Sequence, residues 1–215
     1  MSLKNKKILV TGGPTWVALD SVRVISNTAT GKNGVLISKE LAKHGAKVTL
    51  ILGPCAQEPK VKGIQVIRFS FFDELRNILK KLMKKKRFDV MIHSASVSDY
   101  RPIKMYTKKV SSELKSWSIK LKPTPKIIEE VRALDPGMLL VGFKYEPNAT
   151  KHNLLTKTKA FLKRSKTHIA VANTFIDSDY LAFITDGTQT IGPLHSREEL
   201  AKKLTKLLNQ YFGRN

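Results

Sequence analysis

Residues 26 to 34, Ser-Asn-Thr-Ala-Thr-Gly-Lys-Asn-Gly, have the side chains and the backbone freedom to hold an anion. Apart from Ala29 the stretch is polar or glycine. It separates a largely apolar run, Val22 to Ile25, from an amphipathic one, Val35 to Ala42. A loop that opens a helix turns backbone N–H groups outward, and the helix dipole adds partial positive charge there. Lys32 adds a full charge, Asn27 adds a neutral donor, and Gly31 and Gly34 let the backbone come close to a ligand. The plainer alternative is an ordinary helix start with Asn33 as its N-cap.

Other side chains extend this chemistry. An enzyme that handles a triphosphate and activates a carboxylate needs cations for the phosphates, donors for a developing oxyanion, and orientation of the partners. Lys32, Lys108 and Lys109 supply cations and Asn27 a donor. Asp99, at a predicted strand end, can hold a ribose, a base edge or a metal, or else serve as a turn carboxylate.

Several common alternatives fail on spacing. After the first apolar run the chain reads Thr11-Gly12-Gly13-Pro14-Thr15-Trp16, which is not the dinucleotide pattern G-x-G-x-x-G. Pro14 also removes an amide that would bind phosphate. Tyr100 and Lys104 have the Tyr-x-x-x-Lys spacing of short-chain dehydrogenases, but Pro102 between them spoils the helix that would align them. No Walker loop or zinc-ligand spacing is present. A nicotinamide oxidoreductase and a non-catalytic basic binding module remain as alternative readings. The first would need tight NAD(P)H binding, the second strongly salt-dependent nucleic-acid affinity.

The totals bound the rest. The chain has 215 residues, 41% of them hydrophobic, enough for one substantial domain with a real core. A single cysteine, Cys55, excludes an intramolecular disulfide framework and fits a reducing compartment. The charged N-terminus and short first apolar run make no signal peptide, and no run is long enough to span a membrane, so a cytoplasmic protein is expected. The net charge is +22. Much of it lies in helix-like stretches such as Lys84 to Arg87, Lys157 to Lys166 and Lys202 to Lys206, where solvated faces usually carry lysines. No zinc-finger, homeodomain or RNA-recognition signature accompanies it, so nucleic acid is not expected as the main partner.

The elements that must position these residues alternate. Strands are predicted at Lys7 to Gly12, Lys47 to Leu52, Gln65 to Phe69, Asp89 to His93, Met138 to Phe143 and His168 to Ala172. Helices are predicted at Val35 to His44 with Gly45 as the stop, Phe72 to Lys86, Pro125 to Leu134 with Pro in the first turn, and Lys151 to Lys166. Trp117 to Leu121 alternates like a strand. Asp186-Gly187 marks a hairpin, and Ser196 with Glu199 caps a final helix carrying Leu200, Leu204, Leu208 and Tyr211. This is an α/β, Rossmann-like, three-layer fold: a mainly parallel sheet with helices on both faces and a C-terminal hairpin and helix. Ligands of such sheets bind beyond the carboxyl ends of the strands, where Gly12 to Thr15, residues 26–34 and Ser94 to Arg101 fall. Residues 98–116 form a basic stretch with little apolar periodicity, expected to be a mobile, functional loop within a single domain spanning residues 1–215.

Six short motifs in this order resemble the phosphopantothenate–cysteine ligase family over nearly the whole chain. They are Val-Thr-Gly-Gly-Pro-Thr (10–15), Asp-Ser-Val-Arg-Val-Ile-Ser-Asn (20–27) with Gly-Lys-Asn-Gly (31–34), Ala-Ser-Val-Ser-Asp-Tyr (95–100), Thr-Pro-Lys (124–126), Gly-Phe-Lys (142–144) and Val-Ala-Asn (171–173). The resemblance implies a homodimer and a two-step reaction. The carboxylate of 4'-phosphopantothenate attacks CTP or ATP, with Mg2+, to give an acyl-nucleotide and pyrophosphate, and the amine of cysteine then displaces the nucleotide. It assigns Asn27 to steadying the intermediate and Lys109, or its neighbour Lys108, to a catalytic loop that reaches toward the partner subunit. It assigns Gly12, Gly13, Thr15, Ser94, Ala95, Asp99, Pro125, Lys126, Ile127 and Phe143 to the nucleotide, and Arg23, Asn27, Lys32 and Ala95 to the substrate.

This chain departs from the family pattern in three places. Ala29-Thr30 replaces Ser-Ser, and the second lysine of the Lys-Ile-Lys loop is Ser111. Two helix lysines that bind nucleotide in many bacterial members fall on Phe161 and Ser165, with Lys159, Lys163 and Lys166 close by; Lys163 and Lys166 are the expected substitutes. The chain has no stretch matching the flavin-dependent decarboxylase half of the fused bacterial proteins, so neither flavin nor decarboxylation is expected.

Overall fold

The computed structural model describes residues 3–54, 62–85 and 87–213. Cys55 and the expected helix end at Lys86 lie outside them. The elements run β1 (Lys7–Gly12), β2 (Trp16–Ala18), β3 (Val24–Ser26), α1 (Lys32–Lys43), β4 (Lys47–Leu52), β5 (Ile64–Arg68), α2 (Phe72–Lys85), β6 (Val90–His93), β7 (Tyr100–Pro102), β8 (Leu121–Pro123), α3 (Ile127–Leu134), β9 (Leu139–Tyr145), α4 (Lys151–Ser165), β10 (Ile169–Ile176), β11 (Asp179–Thr185), β12 (Thr190–Leu194) and α5 (Arg197–Gly213).

Eight strands form one sheet in the order β12-β11-β10-β9-β6-β1-β4-β5. The six from β5 to β10 are parallel; β11 and β12 are antiparallel. The strands β1, β4 and β6 read as unbroken apolar runs because both faces of the sheet are covered. Ile8 and Val10 face a core built with Ile37 and Leu41 of α1 and Leu200, Leu204 and Leu208 of α5. Leu9, Met91 and Leu140 face the opposite core, built with Phe72, Leu75 and Leu79 of α2, Ile127, Ile128 and Val131 of α3, and Phe161 and Leu162 of α4. Each such buried side chain contributes roughly 1.5–3 kcal/mol. From β1 the chain moves to β4 on one side, and through β6 to β9 on the other. The order therefore reverses between β1 and β6, and a crevice opens at their carboxyl ends.

Several expected boundaries move. Helix α1 begins at Lys32, not Val35: Gly31 takes the N-cap position in a left-handed conformation (φ 73°), and Asn33 lies inside the first turn and caps nothing. Helix α3 begins at Ile127, so Pro125 precedes it and Lys126 is the N-cap. Residues 117–120 are irregular. The strand of that region is β8, fixed by antiparallel pairing of Tyr100 to Pro123 and Pro102 to Leu121. Strand β10 extends four residues past Ala172 and turns back through Asp177 and Ser178, both at positive φ, into β11. The Asp186-Gly187 hairpin forms with a four-residue loop, closed by Asp186 Oδ1 accepting from the Thr188 and Gln189 amides. Gly45 ends α1 at φ 84°. Ser196 Oγ accepts from the Glu199 amide, the N-cap read from the sequence, and Glu199 reaches one residue past the N-cap to accept from the His195 amide. Among the described residues no helix is long and apolar enough to cross a membrane.

Candidate active site

A cleft of about 930 Å³ occupies the crevice at the carboxyl ends of β6, β9 and β10. Its walls come from the loop of residues 26–33, the segment after β6, the start of α3, the end of β9, two residues each of α4 and β10, and Arg197 of α5. The glycines at the first wall are required by contact. A Cβ on Gly34 would stand 3.0 Å from Gly12 Cα and 3.1 Å from Ser94 Oγ, so only glycine lets the α1 N-terminus press against the end of β1. No side chain caps that terminus, which leaves its amides and positive dipole end facing the cleft.

Asn27 crosses between walls. Its Nδ2 donates to Ser96 Oγ at 2.9 Å, with the Ser96 and Val97 carbonyls at 3.4 Å. The segment after β6 is braced from below. Ser96 N donates to Gly13 O and Thr15 N to Ser96 O. Thr15 Oγ1 accepts from the Ser98 amide at 2.9 Å, and Thr124 Oγ1 donates to Ser98 O at 2.6 Å. Gly12, Gly13 and Thr15 therefore shape the floor without lining the cleft. Asp99 and Lys126 pair at 2.6 Å across the mouth, with side chains 68% and 42% exposed. A pair so open to solvent contributes little to stability and exchanges readily for a ligand.

The lining includes five Lys and Arg residues, Lys32, Lys126, Lys144, Arg164 and Arg197, and one carboxylate, Asp99. Lys144 is held by Glu146 at 2.7 Å. Glu146 also takes Lys157, and hydrogen bonds from these two lysines hold its carboxyl below the usual range. Arg164 reaches Glu129 at 3.5 Å. The Arg197 guanidinium stacks on Phe175 and Tyr180, at 5.0 and 5.2 Å from the ring centres, rather than on a carboxylate. The apolar part of the lining includes Val97, Ile127, Ile128, Phe143, Phe161 and Phe175. Gly142 makes room for Phe161: a Cβ there would meet the ring at 2.6 Å.

Of the expected site residues, Asn27, Lys32, Ser94, Ala95, Asp99, Pro125, Lys126, Ile127 and Phe143 line the cleft. Lys163 and Lys166 do not. On α4 the residues that face it are Phe161 and Arg164, and Lys166 is a left-handed C-cap whose carbonyl accepts from Arg132. Arg23 and Lys109 also stand outside it. Arg23 Nη2 donates to the Val110 carbonyl at 3.2 Å, Asp20 Oδ2 accepts from the Val110 amide at 3.1 Å, and Arg23 Nη1 lies 3.3 Å from Asp20. The basic stretch is thereby anchored next to Lys109, and again where Tyr106 N donates to Leu19 O. Burial raises the Asp20 pKa, but the amides of Val22, Val110 and Arg23 and the Arg23 charge outweigh it, and the net shift is downward.

His93, at the end of β6, lines the cleft and was not singled out in the sequence, where it reads as the last residue of a buried strand. It is 7% exposed, and burial pushes its pKa down to about 4. Arg164 and Arg197 were also missed, being single cations among many on charged helices.

Residues 3–211 match the family described as the DNA/pantothenate metabolism flavoprotein C-terminal domain. The coenzyme A biosynthesis bifunctional protein CoaBC of Thermococcus kodakarensis is 35% identical over 176 residues, covering 80% of this chain and 42% of that protein. Its counterpart in Borreliella burgdorferi is 32% identical over 212 residues, covering 96% and 53%. The chain spans about half the length of these curated relatives. The crystal structure of the DNA/pantothenate metabolism flavoprotein from Streptococcus pneumoniae superposes with a TM-score of 0.86 at 27% identity, over 96% of this chain and 99% of that one. A Cab2 mutant in complex with phosphopantothenate-cysteine shares the fold, with a TM-score of 0.76 at 16% identity, over 98% and 88% of the two chains.

Proposed function

The chain belongs to the DNA/pantothenate metabolism flavoprotein C-terminal domain family, and from that premise we propose that it joins 4'-phosphopantothenate to cysteine with consumption of CTP or ATP. A carboxylate oxygen attacks the α-phosphorus, the bond from that phosphorus to the bridging oxygen breaks, and pyrophosphate leaves. The cysteine amine then attacks the acyl carbon and loses a proton. The bond to the nucleotide oxygen breaks, giving the amide and a nucleoside monophosphate.

The observation that carries this reading is the cleft itself. Among the described residues, an uncapped helix N-terminus and five cations surround a space whose lining holds one carboxylate. Such a site favours a polyanion bound next to a neutral donor. In this reading Lys32, Lys126, Lys144, Arg164 and Arg197 hold phosphates, while Ser94, Ala95, Asp99, Pro125, Ile127 and Phe143 frame the nucleoside. Asn27 turns its amide from Ser96 to the acyl-nucleotide. Arg23 acts on the substrate through the loop it anchors.

Mg2+ fits as an ion carried by the phosphates. It ordinarily takes one or two carboxylates together with water and substrate oxygens, and Asp99 would supply one once Lys126 turns to the phosphates. Among the described residues no cluster of three His, Cys, Asp or Glu side chains forms a separate metal site. Bound there, the ion supplies charge neutralisation for the triphosphate.

The proposal places the active unit in a homodimer. Two features support it. Lys109 stands outside its own cleft. The β7–β8 region exposes Tyr100 (56%), Ile103 (57%), Met105 (60%) and Leu121 (44%), a large apolar display for a surface with no partner. Mass-spectrometric detection of phosphopantothenoylcysteine and nucleoside monophosphate, formed together only when cysteine is added, tests the reaction. Nucleotide hydrolysis without the amide product contradicts it.

A further inference from the structure

The Thr11 and His93 side chains meet at the point where the strand order reverses. Thr11 and His93 are register partners at the ends of β1 and β6, and their side chains share the face that carries Leu9 and Met91. On the other side of His93 its register partner is Gly142, which has no side chain. Phe161 and Ile128 lean into that space. The imidazole thus lies on the cleft floor beneath the apolar lining.

The hydrogen bonds fix where its proton sits. Thr11 Oγ1 is fully buried and accepts from the Ala95 amide at 3.2 Å. The same oxygen lies 2.9 Å from His93 Nδ1. A hydroxyl has one proton to give. If Nδ1 carried a proton, Thr11 would accept twice, and its own proton would have no acceptor among the described residues. If Nδ1 is bare, Thr11 donates to it while accepting from Ala95, and both the hydroxyl and Nδ1 are satisfied. A neutral imidazole with a bare Nδ1 carries its hydrogen on Nε2.

We propose that His93 is a ligand-binding residue that presents a neutral Nε2–H donor to an oxygen of the molecule in the cleft, with Thr11 as the positioning residue that holds the tautomer. The low pKa keeps the ring uncharged through the neutral range, so the donor adds direction without adding to the cations already present. A neutral donor on the floor strengthens its bond as negative charge develops on the oxygen it faces. The identity of the ligand, though not the tautomer, rests on the ligase reading.

Ring 15N and 1H spectra of His93 test both parts in the whole protein. The free protein is expected to show bare Nδ1 and protonated Nε2. Thr11→Ser is expected to keep that pattern and Thr11→Val to mix the tautomers. The Nε2–H signal is expected to move when CTP or ATP is added with Mg2+ and 4'-phosphopantothenate. A protonated Nδ1 in the free protein, or a ring signal unmoved at saturating ligand, overturns the proposal. In turnover, His93→Gln keeps a donor at the Nε2 position and is expected to stay within about threefold of wild type, whereas His93→Leu loses about tenfold in kcat/KM. Equal turnover of folded His93→Leu and wild type also overturns it. A wild-type protein that binds nucleotide and shifts the His93 ring but makes no amide product removes the ligase reading and leaves the donor assignment standing.

Discussion

The side-chain amide of Asn27 donates to Ser96 Oγ at 2.9 Å and joins the helix-opening loop to the segment after β6 across the cleft. The carbonyls of Ser96 and Val97, both 3.4 Å away, require the amide nitrogen on that side. In the proposed reaction this amide is the donor to the acyl-nucleotide, and in the structure it is held by a single serine hydroxyl and two longer carbonyl contacts.

Asn27→Ala is expected to fold normally, because the residue is exposed, and to lose about 10²–10³ in kcat. Steady-state kinetics beside a circular-dichroism melt measure both. Wild-type turnover by this variant removes Asn27 from the mechanism.

Asp20 and Arg23 anchor the backbone of Val110, directly next to Lys109 and one residue further from Lys108. Lys109→Ala is expected to lose at least about tenfold more rate than Lys108→Ala, since a catalytic cation acts only where it is positioned. Equal rates in the two variants contradict that register.

On α4 it is Arg164 that reaches the cleft, while Lys163 points elsewhere. Arg164→Ala is expected to raise the nucleotide KM about tenfold, in line with loss of one charge-assisted contact, and Lys163→Ala to leave it unchanged. A larger effect at Lys163 reverses the assignment.

Stability should fall on the acid side of neutrality. His93 is neutral when folded, with its pKa depressed by burial to about 4, against about 6.5 in the unfolded chain. The unfolded chain therefore binds the extra proton first. The contribution is fully present above the unfolded value and is lost as pH falls from 6.5 toward 4, up to about 3 kcal/mol. Urea midpoints between pH 7 and pH 4 measure it. His93→Gln, which does not titrate, is expected to show a shallower decline, and a decline as steep as wild type contradicts the assignment.

The regular part of the fold was legible because burial on both faces writes continuous apolar runs. The bounds of β1 and β4 are those read from Lys7 to Gly12 and Lys47 to Leu52. The short pairs β2–β3 and β7–β8 were not legible. Three-residue strands carry no periodicity, and the β7–β8 pair is fixed by a partner about twenty residues away. The turn between β10 and β11 was hidden because Asp177 and Ser178 adopt positive φ without a glycine to signal it. At the cleft, the lining loop of residues 26–33 was legible from its residue types. His93, Arg164 and Arg197 were not, because their significance lies in which side of an element faces the cleft. For Phe161 and Arg164 that is set by a helix phase that the family spacing alone did not settle.

Pyrophosphate release from the purified protein with Mg2+, comparing CTP with ATP and adding or omitting 4'-phosphopantothenate, tests the central claim most directly. The ligase account predicts release with at least one nucleotide, dependent on phosphopantothenate and lost in Asn27→Ala. No phosphopantothenate-dependent release with either nucleotide, from folded protein, contradicts it.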